Sequence, residues 1–195
     1  MRSEEFARTL DDARAGQGLA LGALFRDLHP RVLRYLQAFS PSDAEDLATD
    51  TWLDVTSALD LFRGDQRELR ALALMIARNR LLDLQPEVRR SIPPVFHGLT
   101  PDGTPSGDGE TGFVDDDPRP SGTSPDTEIP IGAALAQIAA LPRSQADVVL
   151  LTILGELSVE EVARMVGTRP DTVRVIQHQA LVRLFQQSRR EQVPR

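Results

Sequence analysis

The sequence predicts an all-α protein: two small helical domains joined by a long, flexible, acidic linker. Three observations predict it. Apolar residues recur at three- and four-residue spacing on both sides of the chain's middle. No stretch alternates apolar and polar residues as a half-buried strand would. Residues 93–130 carry eight Pro and six Gly, a composition that cannot bury enough apolar surface to offset the entropy of ordering it.

The chain has 195 residues, 41% apolar and 26% charged, enough for two small cores. No run of 18 apolar residues suggests a membrane span, and Met1–Leu10 does not resemble a secretory signal. No cysteine means no disulfide, thiolate metal site or cysteine nucleophile, and His29, His97 and His178 lack ligand spacing. These features predict a cytoplasmic protein with no cofactor, metal or membrane insertion. No nucleophile–base pair can be assembled either, so an enzyme is not expected.

The net charge of −7 divides unevenly. Residues 1–92 hold 13 Arg and 15 acids, residues 93–130 one Arg and 8 acids, and residues 131–195 8 Arg and 6 acids. The deficit therefore sits in the middle segment, read either as a plain spacer or as a mask competing with phosphate for arginine patches. Every basic residue is Arg, which GC-rich codon usage explains simply; any phosphate contact would then use a planar, permanently charged guanidinium.

In the first domain, Leu21, Leu24, Phe25, Leu28, Val32, Tyr35, Leu36 and Phe39 form a helical stripe. Pro30 is expected to kink it or start a new helix. Ser40-Pro41-Ser42-Asp43 is a stop and restart with Ser42 or Asp43 as N-cap. The next helix is predicted over 44–61, with Leu47, Thr51, Trp52, Val55 and Leu59 inward. Arg63-Gly64-Asp65 breaks it, and a last helix runs over 68–84 before Pro86.

In the second domain, helices are predicted over 131–141 and 144–154. Ser158 and Glu161 fit a capping box, and the helix they open closes at Gly167 with a left-handed cap. Pro170 suits a first helical position of a helix over 170–187. The segment 157–184 thus reads as a helix-turn-helix. Its expected core is Val159, Val162, Ala163, Val166, Val173, Ala180, Leu181 and Leu184. Arg169, Thr172, Arg174, His178, Gln179 and Arg183 are left outward, a mixture suited to phosphates and base edges in a major groove.

Two further constellations lie in the first domain. Asp43, Asp46, Asp50 and Asp54 fall on one side of a helix, as a solvated face, a Mg²⁺ or acid–base site, or a docking face for a basic partner. Arg63, Arg67, Arg70, Arg78 and Arg80, with Asn79, cluster around one loop and the following helix, as a solubility surface or a DNA track. Phe62 and Trp52 are the only aromatics near that track.

The order of these parts resembles the extracytoplasmic-function (ECF) sigma factors, the smallest class of the bacterial sigma-70 family. The resemblance covers roughly 12–83 and 131–187. It rests on Leu24-Phe25, His29-Pro30, Arg34-Tyr35-Leu36, Asp43-Ala44-Glu45-Asp46-Leu47, Trp52-Leu53-Asp54-Val55, Phe62-Arg63-Gly64, Ile76-Ala77-Arg78-Asn79 and Asp83. In the second part it rests on Leu141-Pro142, Gln145, Gly155, the run Leu157 to Ala163, Gly167, Thr172-Val173-Arg174 and His178-Gln179-Ala180-Leu181.

The resemblance implies a sigma-2-like domain over 1–92, a linker over 93–130 threaded through RNA polymerase, and a sigma-4-like domain over 131–195. Asp46, Thr49 and Asp50 would dock the clamp helices of the polymerase β′ subunit. Arg63, Asp65, Gln66 and Arg67, with Arg78, Asn79 and Arg80, would contact the −10 element and its melted strand. The helix bearing Arg169, Thr172, Arg174, His178, Gln179 and Arg183 would read the −35 element of promoter DNA, while the apolar side of this domain meets the β flap. The acidic linker would stand in for nucleic acid in a basic channel.

The chain departs from the family in three places. Leu69 and Leu72 stand where aromatics are usual. Asp83-Leu84-Gln85-Pro86-Glu87 replaces most of a basic run and leaves Arg89-Arg90. Ile176 and Gln179 replace basic residues on the second helix of the motif. Fewer phosphate contacts imply weaker, less salt-sensitive binding by this domain alone, and hence an activator as a further expected partner. An anti-sigma factor is the other. A LuxR-like helix-turn-helix regulator is one competing reading, and a sigma-like protein that binds polymerase without opening promoters is another.

Overall fold

The computed structural model describes residues 3–84 and 131–191. The expected linker over 93–130, with Phe96, His97 and Phe113, and the Arg89-Arg90 pair before it lie outside the described residues. Eight helices occur among those described: α1 (Ser3–Arg14), α2 (Gly18–Phe39), α3 (Ala44–Ala58), α4 (Gln66–Asp83), α5 (Ile131–Ala139), α6 (Arg143–Gly155), α7 (Val159–Val166) and α8 (Pro170–Glu191). None is long and apolar enough to cross a membrane.

α1 is an addition to the sequence reading. Phe6, Leu10 and Ala13 recur at i, i+4 and i+7 and are buried, and that stripe fixes α1 against α2. Arg14 at its end donates Nε to the Leu59 carbonyl at 3.0 Å and Nη2 to the Phe62 carbonyl. It thereby satisfies carbonyls that the end of α3 leaves open.

Pro30 neither ends nor restarts a helix, because α2 runs unbroken through it. Leu28, Val32, Tyr35 and Leu36 are buried on either side, so packing outweighs the one backbone hydrogen bond that proline forgoes. Asp43 is the N-cap of α3, but its side chain caps nothing. It accepts from Ser40 Oγ at 2.6 Å and Ser42 Oγ at 2.8 Å, and those bonds hold its carboxyl below the usual range. α3 stops at Ala58 rather than Leu61, and α4 begins two residues early, because Asp65 and Glu68 form a capping box.

In the second unit the Ser158–Glu161 capping box and the left-handed Gly167 (φ 73°) stand as expected. α6 includes Gly155, and its left-handed cap falls on Glu156 (φ 56°), the only non-glycine with positive φ among the described residues. Leu181 is not core: it is 63% exposed. Val173, Ile176, Ala180 and Leu184 follow at three- and four-residue steps and form the inward line. Leu181 lies one residue, about 100°, off that line.

The two units pack on each other. Buried residues of α1–α4 and of α6–α8 belong to one continuous apolar cluster. Phe39, at the end of α2, also enters a smaller cluster with Leu141, Val149 and Ala180, and the Arg143 guanidinium lies 4.8 Å over its ring.

Candidate nucleic-acid interface

α8 is the second helix of the helix-turn-helix. Pro170 starts it, Asp171 lies in its first turn, and Val173 and Ala180 anchor it inward at under 1% exposure. The anchoring leaves Arg169, Thr172, Arg174, His178, Gln179 and Arg183 exposed, all six residues the sequence turned outward. Arg174 is braced by Asp171 at 3.2 Å and by Glu160 of α7 at 3.1 Å. Gln179 accepts a 3.3 Å hydrogen bond from Gln145 of α6. The face therefore offers cations, a hydroxyl, an amide and an imidazole on one rigid helix, the repertoire of groove reading.

The loop before α4 is shaped by Gly64. A Cβ there would stand 2.5 Å from Glu68 Oε2 and 2.8 Å from Phe62 Cζ, so a side chain at this position would push the Glu68 carboxylate and the Phe62 ring aside. Arg63 is exposed and folds back on the carbonyls of Asp60 (2.8 Å) and Phe62 (2.7 Å). Asp65 spends its carboxylate on the Glu68 N–H at 2.8 Å. Gln66 donates to Asp27 at 3.1 Å.

The arginines of α4 are not a free basic track. Arg70 grips Asp27 through two bonds of 2.9 Å and reaches Glu156 at 2.8 Å. Burial raises the Asp27 carboxyl, but the hydrogen bonds from Arg70 and Gln66 and the charges of Arg70 and Arg31 together hold it below the usual range. Arg67 meets Glu161 at 2.5 Å. Arg78 is only 5% exposed and donates Nε to Asp147 at 2.9 Å. Tyr35 Oη donates to the other oxygen of Asp147 at 2.8 Å, and burial, then the Asp147 charge, pushes its phenol up. Asn79 is exposed, and Arg80 bridges Asp50 at 3.0 Å and Asp54 at 2.6 Å.

On α3, Asp46 and Thr49 are exposed, while Asp50 shares its charge with Arg80. The sequence reading missed Leu53. It is 57% exposed, one turn beyond Thr49 and Asp50 on the same face. Its signal was an apolar residue at i+4 from Thr49 on a polar side. Also missed were Val175, Val182 and Phe185, exposed on α8. Among the described residues, no group of three or more His, Cys, Asp or Glu is arranged to hold a metal ion.

Two family models match. "Sigma-70 region 2" covers residues 24–90 and "Sigma-70, region 4" covers residues 131–184. The ECF RNA polymerase sigma factor ShbA of Streptomyces griseus is 31% identical over 181 residues, 87% of each chain. The ECF RNA polymerase sigma factor SigD of Mycobacterium tuberculosis is 27% identical over 190 residues, 94% of this chain and 84% of its own. Two solved structures share the fold. One is CnrH in complex with the cytosolic domain of CnrY (TM-score 0.53, 18% identity, 92% and 94% of the two chains). The other is the sigma factor RpoE with the anti-sigma factor NepR from Bartonella quintana (TM-score 0.54, 20% identity, 82% and 91%).

Proposed function

The chain belongs to the sigma-70 family as an ECF RNA polymerase sigma factor, and on that premise we propose how its residues divide the work of promoter recognition. α8 reads the −35 element through Arg169, Thr172, Arg174, His178, Gln179 and Arg183. The observation that carries this is the exposure of all six, Arg169 just before α8 and the other five on it, in a doubly capped helix-turn-helix. Guanidiniums fix the helix on the phosphates, and Gln179, His178 and Thr172 meet base edges.

The loop over 63–67, with Arg78, Asn79 and Arg80, meets the −10 element and its melted strand. Asp46, Thr49 and Asp50 dock the clamp helices of β′. An acidic face with an exposed leucine at its end suits a basic partner helix, charges steering the encounter and Leu53 supplying apolar contact. Phe185, beyond the reading residues toward the end of α8, suits the β flap. The working place is then the bacterial cytoplasm, and an anti-sigma factor is a further partner, as for the RpoE relative.

Run-off transcription with purified bacterial core polymerase, on promoters selected from a random library, tests this assignment. Wild type yields specific transcripts. Asp46→Ala with Thr49→Ala lowers co-purification with core by about tenfold, the scale of one lost interface anchor. Arg169→Ala with Gln179→Ala leaves core binding intact and abolishes the −35 preference. Core binding without transcripts would overturn promoter opening, and loss of core binding in the α8 variant would overturn the division of labour.

A further inference from the structure

Gln145 stands in the first turn of α6 and is only 5% exposed. Its amide Nε2 donates to Gln179 Oε1 of α8 at 3.3 Å. Its own Oε1 is buried and has no hydrogen-bond partner among the described residues. Turning this amide over would put an NH2, with two donors, where the structure leaves one oxygen unpaired. Buried N–H groups go unpaired more rarely than carbonyls. The Gln145 amide therefore keeps its donor toward α8.

The backbone beside Gln179 is held as firmly. Ala180, the next residue, is buried in one apolar cluster with Leu141, Ala146 and Val149. A glutamine on an open helix face turns its amide either way and presents oxygen or NH2 to a ligand. Here the oxygen is engaged by a buried donor, so the NH2 is the end that Gln179 offers outward. Val175 and Val182 lie four residues before and three after Gln179, share its side of α8 and are 54% and 42% exposed.

A fixed donor between two exposed aliphatic side chains has a definite complement in the major groove. Thymine presents an acceptor, O4, beside a methyl group. Cytosine presents the N4 donor and adenine the N6 donor, which an NH2 cannot meet, and guanine presents acceptors without a methyl. We propose that Gln145 is a positioning residue for promoter reading: it fixes Gln179 as a donor, so that α8 selects thymine at one position of the −35 element, with Gln179 on O4 and the flanking valines on the methyl. The inference rests on the −35 role given above to α8. Setting the Gln179 amide before DNA arrives also lowers the ordering cost of the contact.

The test is run-off transcription by core polymerase with the full chain, on promoters carrying each base in turn across the −35 element. Wild type is expected to prefer thymine at the position where Gln179→Ala loses its preference. Gln145→Met keeps the length and packing of the side chain but removes the donor, so the Gln179 amide can turn over. At that position thymine should lose about five- to tenfold against adenine and cytosine, with the other positions unchanged. Gln179→Glu is the second variant. A carboxylate presents an oxygen whichever way it turns, so the preference should move to cytosine and stay there when Gln145→Met is added. Deoxyuracil in place of the thymine removes only the methyl. It should lower the wild-type transcript by about three- to fourfold and cause no further loss in Val175→Ala with Val182→Ala.

An unchanged profile in Gln145→Met would overturn the positioning role. So would an equal loss of preference at every position, or loss of the cytosine preference in the double variant, since either would show that the change merely loosens α8. Equal use of thymine and deoxyuracil by the wild type would overturn the part given to the valines. Gln179→Ala reports separately on the −35 reading: if it alters no base preference, that reading of Gln179 fails and the positioning role falls with it.

Discussion

Asp27 and Glu161 are the carboxylates through which acid should act on this protein. For Glu161, burial raises the carboxyl. Hydrogen bonds from the Ser158 backbone, Arg67 and the Ser158 hydroxyl, with the Arg67 charge, outweigh it and hold the group below its ordinary 4.5. Asp27 is likewise held below 3.8. A group depressed in the folded state contributes stability that is complete above its ordinary value and lost as pH falls through the folded one. The fold should therefore be indifferent to pH near neutrality and weaken below about pH 4.5, with the Arg67–Glu161 contact among the first lost. Circular dichroism and Trp52 fluorescence followed from about pH 7 to pH 3 check this; a loss of stability on raising pH toward 7 would contradict it. The exposed set on α8 was legible at this scale because a helix's outward face follows from its spacing. Leu181 was misread because hydrophobicity alone does not say which of two adjacent apolar residues, Ala180 or Leu181, points inward.

Helix ends were legible wherever the capping chemistry is local. Ser158 accepts from the Glu161 N–H at 3.3 Å while Glu161 returns to the Ser158 N–H at 2.7 Å, all within four residues of sequence. Ser158→Ala should cost about 1 kcal/mol of stability in chemical denaturation, the usual value of an N-cap, with the helix-turn-helix core unchanged. An unchanged midpoint would mean that tertiary packing alone holds α7. Asp65 and Glu68 form the same device at α4, yet Asp65 read as part of a breaker and as a DNA contact, because Arg63-Gly64 beside it carries a stronger turn signal. α1 escaped notice for another reason. Its three buried residues, Phe6, Leu10 and Ala13, are separated by charged and polar ones, so the stripe is thin and only the groove of α2 makes it a core element.

At the scale of the whole molecule, Gly155 is a position where the two units pack with no room for a side chain. A Cβ there would meet Leu157 Cγ at 2.7 Å within its own unit and Leu74 Cδ1 at 2.9 Å across the interface. Gly155→Ala should therefore lower energy transfer between dyes on α3 and α8 and reduce stability by about 1–3 kcal/mol, the range for overpacking a tight site. Retained transfer with wild-type stability would show that the interface has slack. The sequence by itself determined the helical class, the two halves, the helix-turn-helix and the outward residues of α8, because periodicity, caps and breakers act within a few residues of each other. Asp147 stood out only as a lone acid in an apolar helix, and nothing in the spacing of Arg67, Arg70 and Arg78 named their partners. Only the tertiary structure decided that these arginines face Glu161, Glu156 and Asp147, because those pairs join residues 69 to 94 positions apart that meet only when the two units share one core.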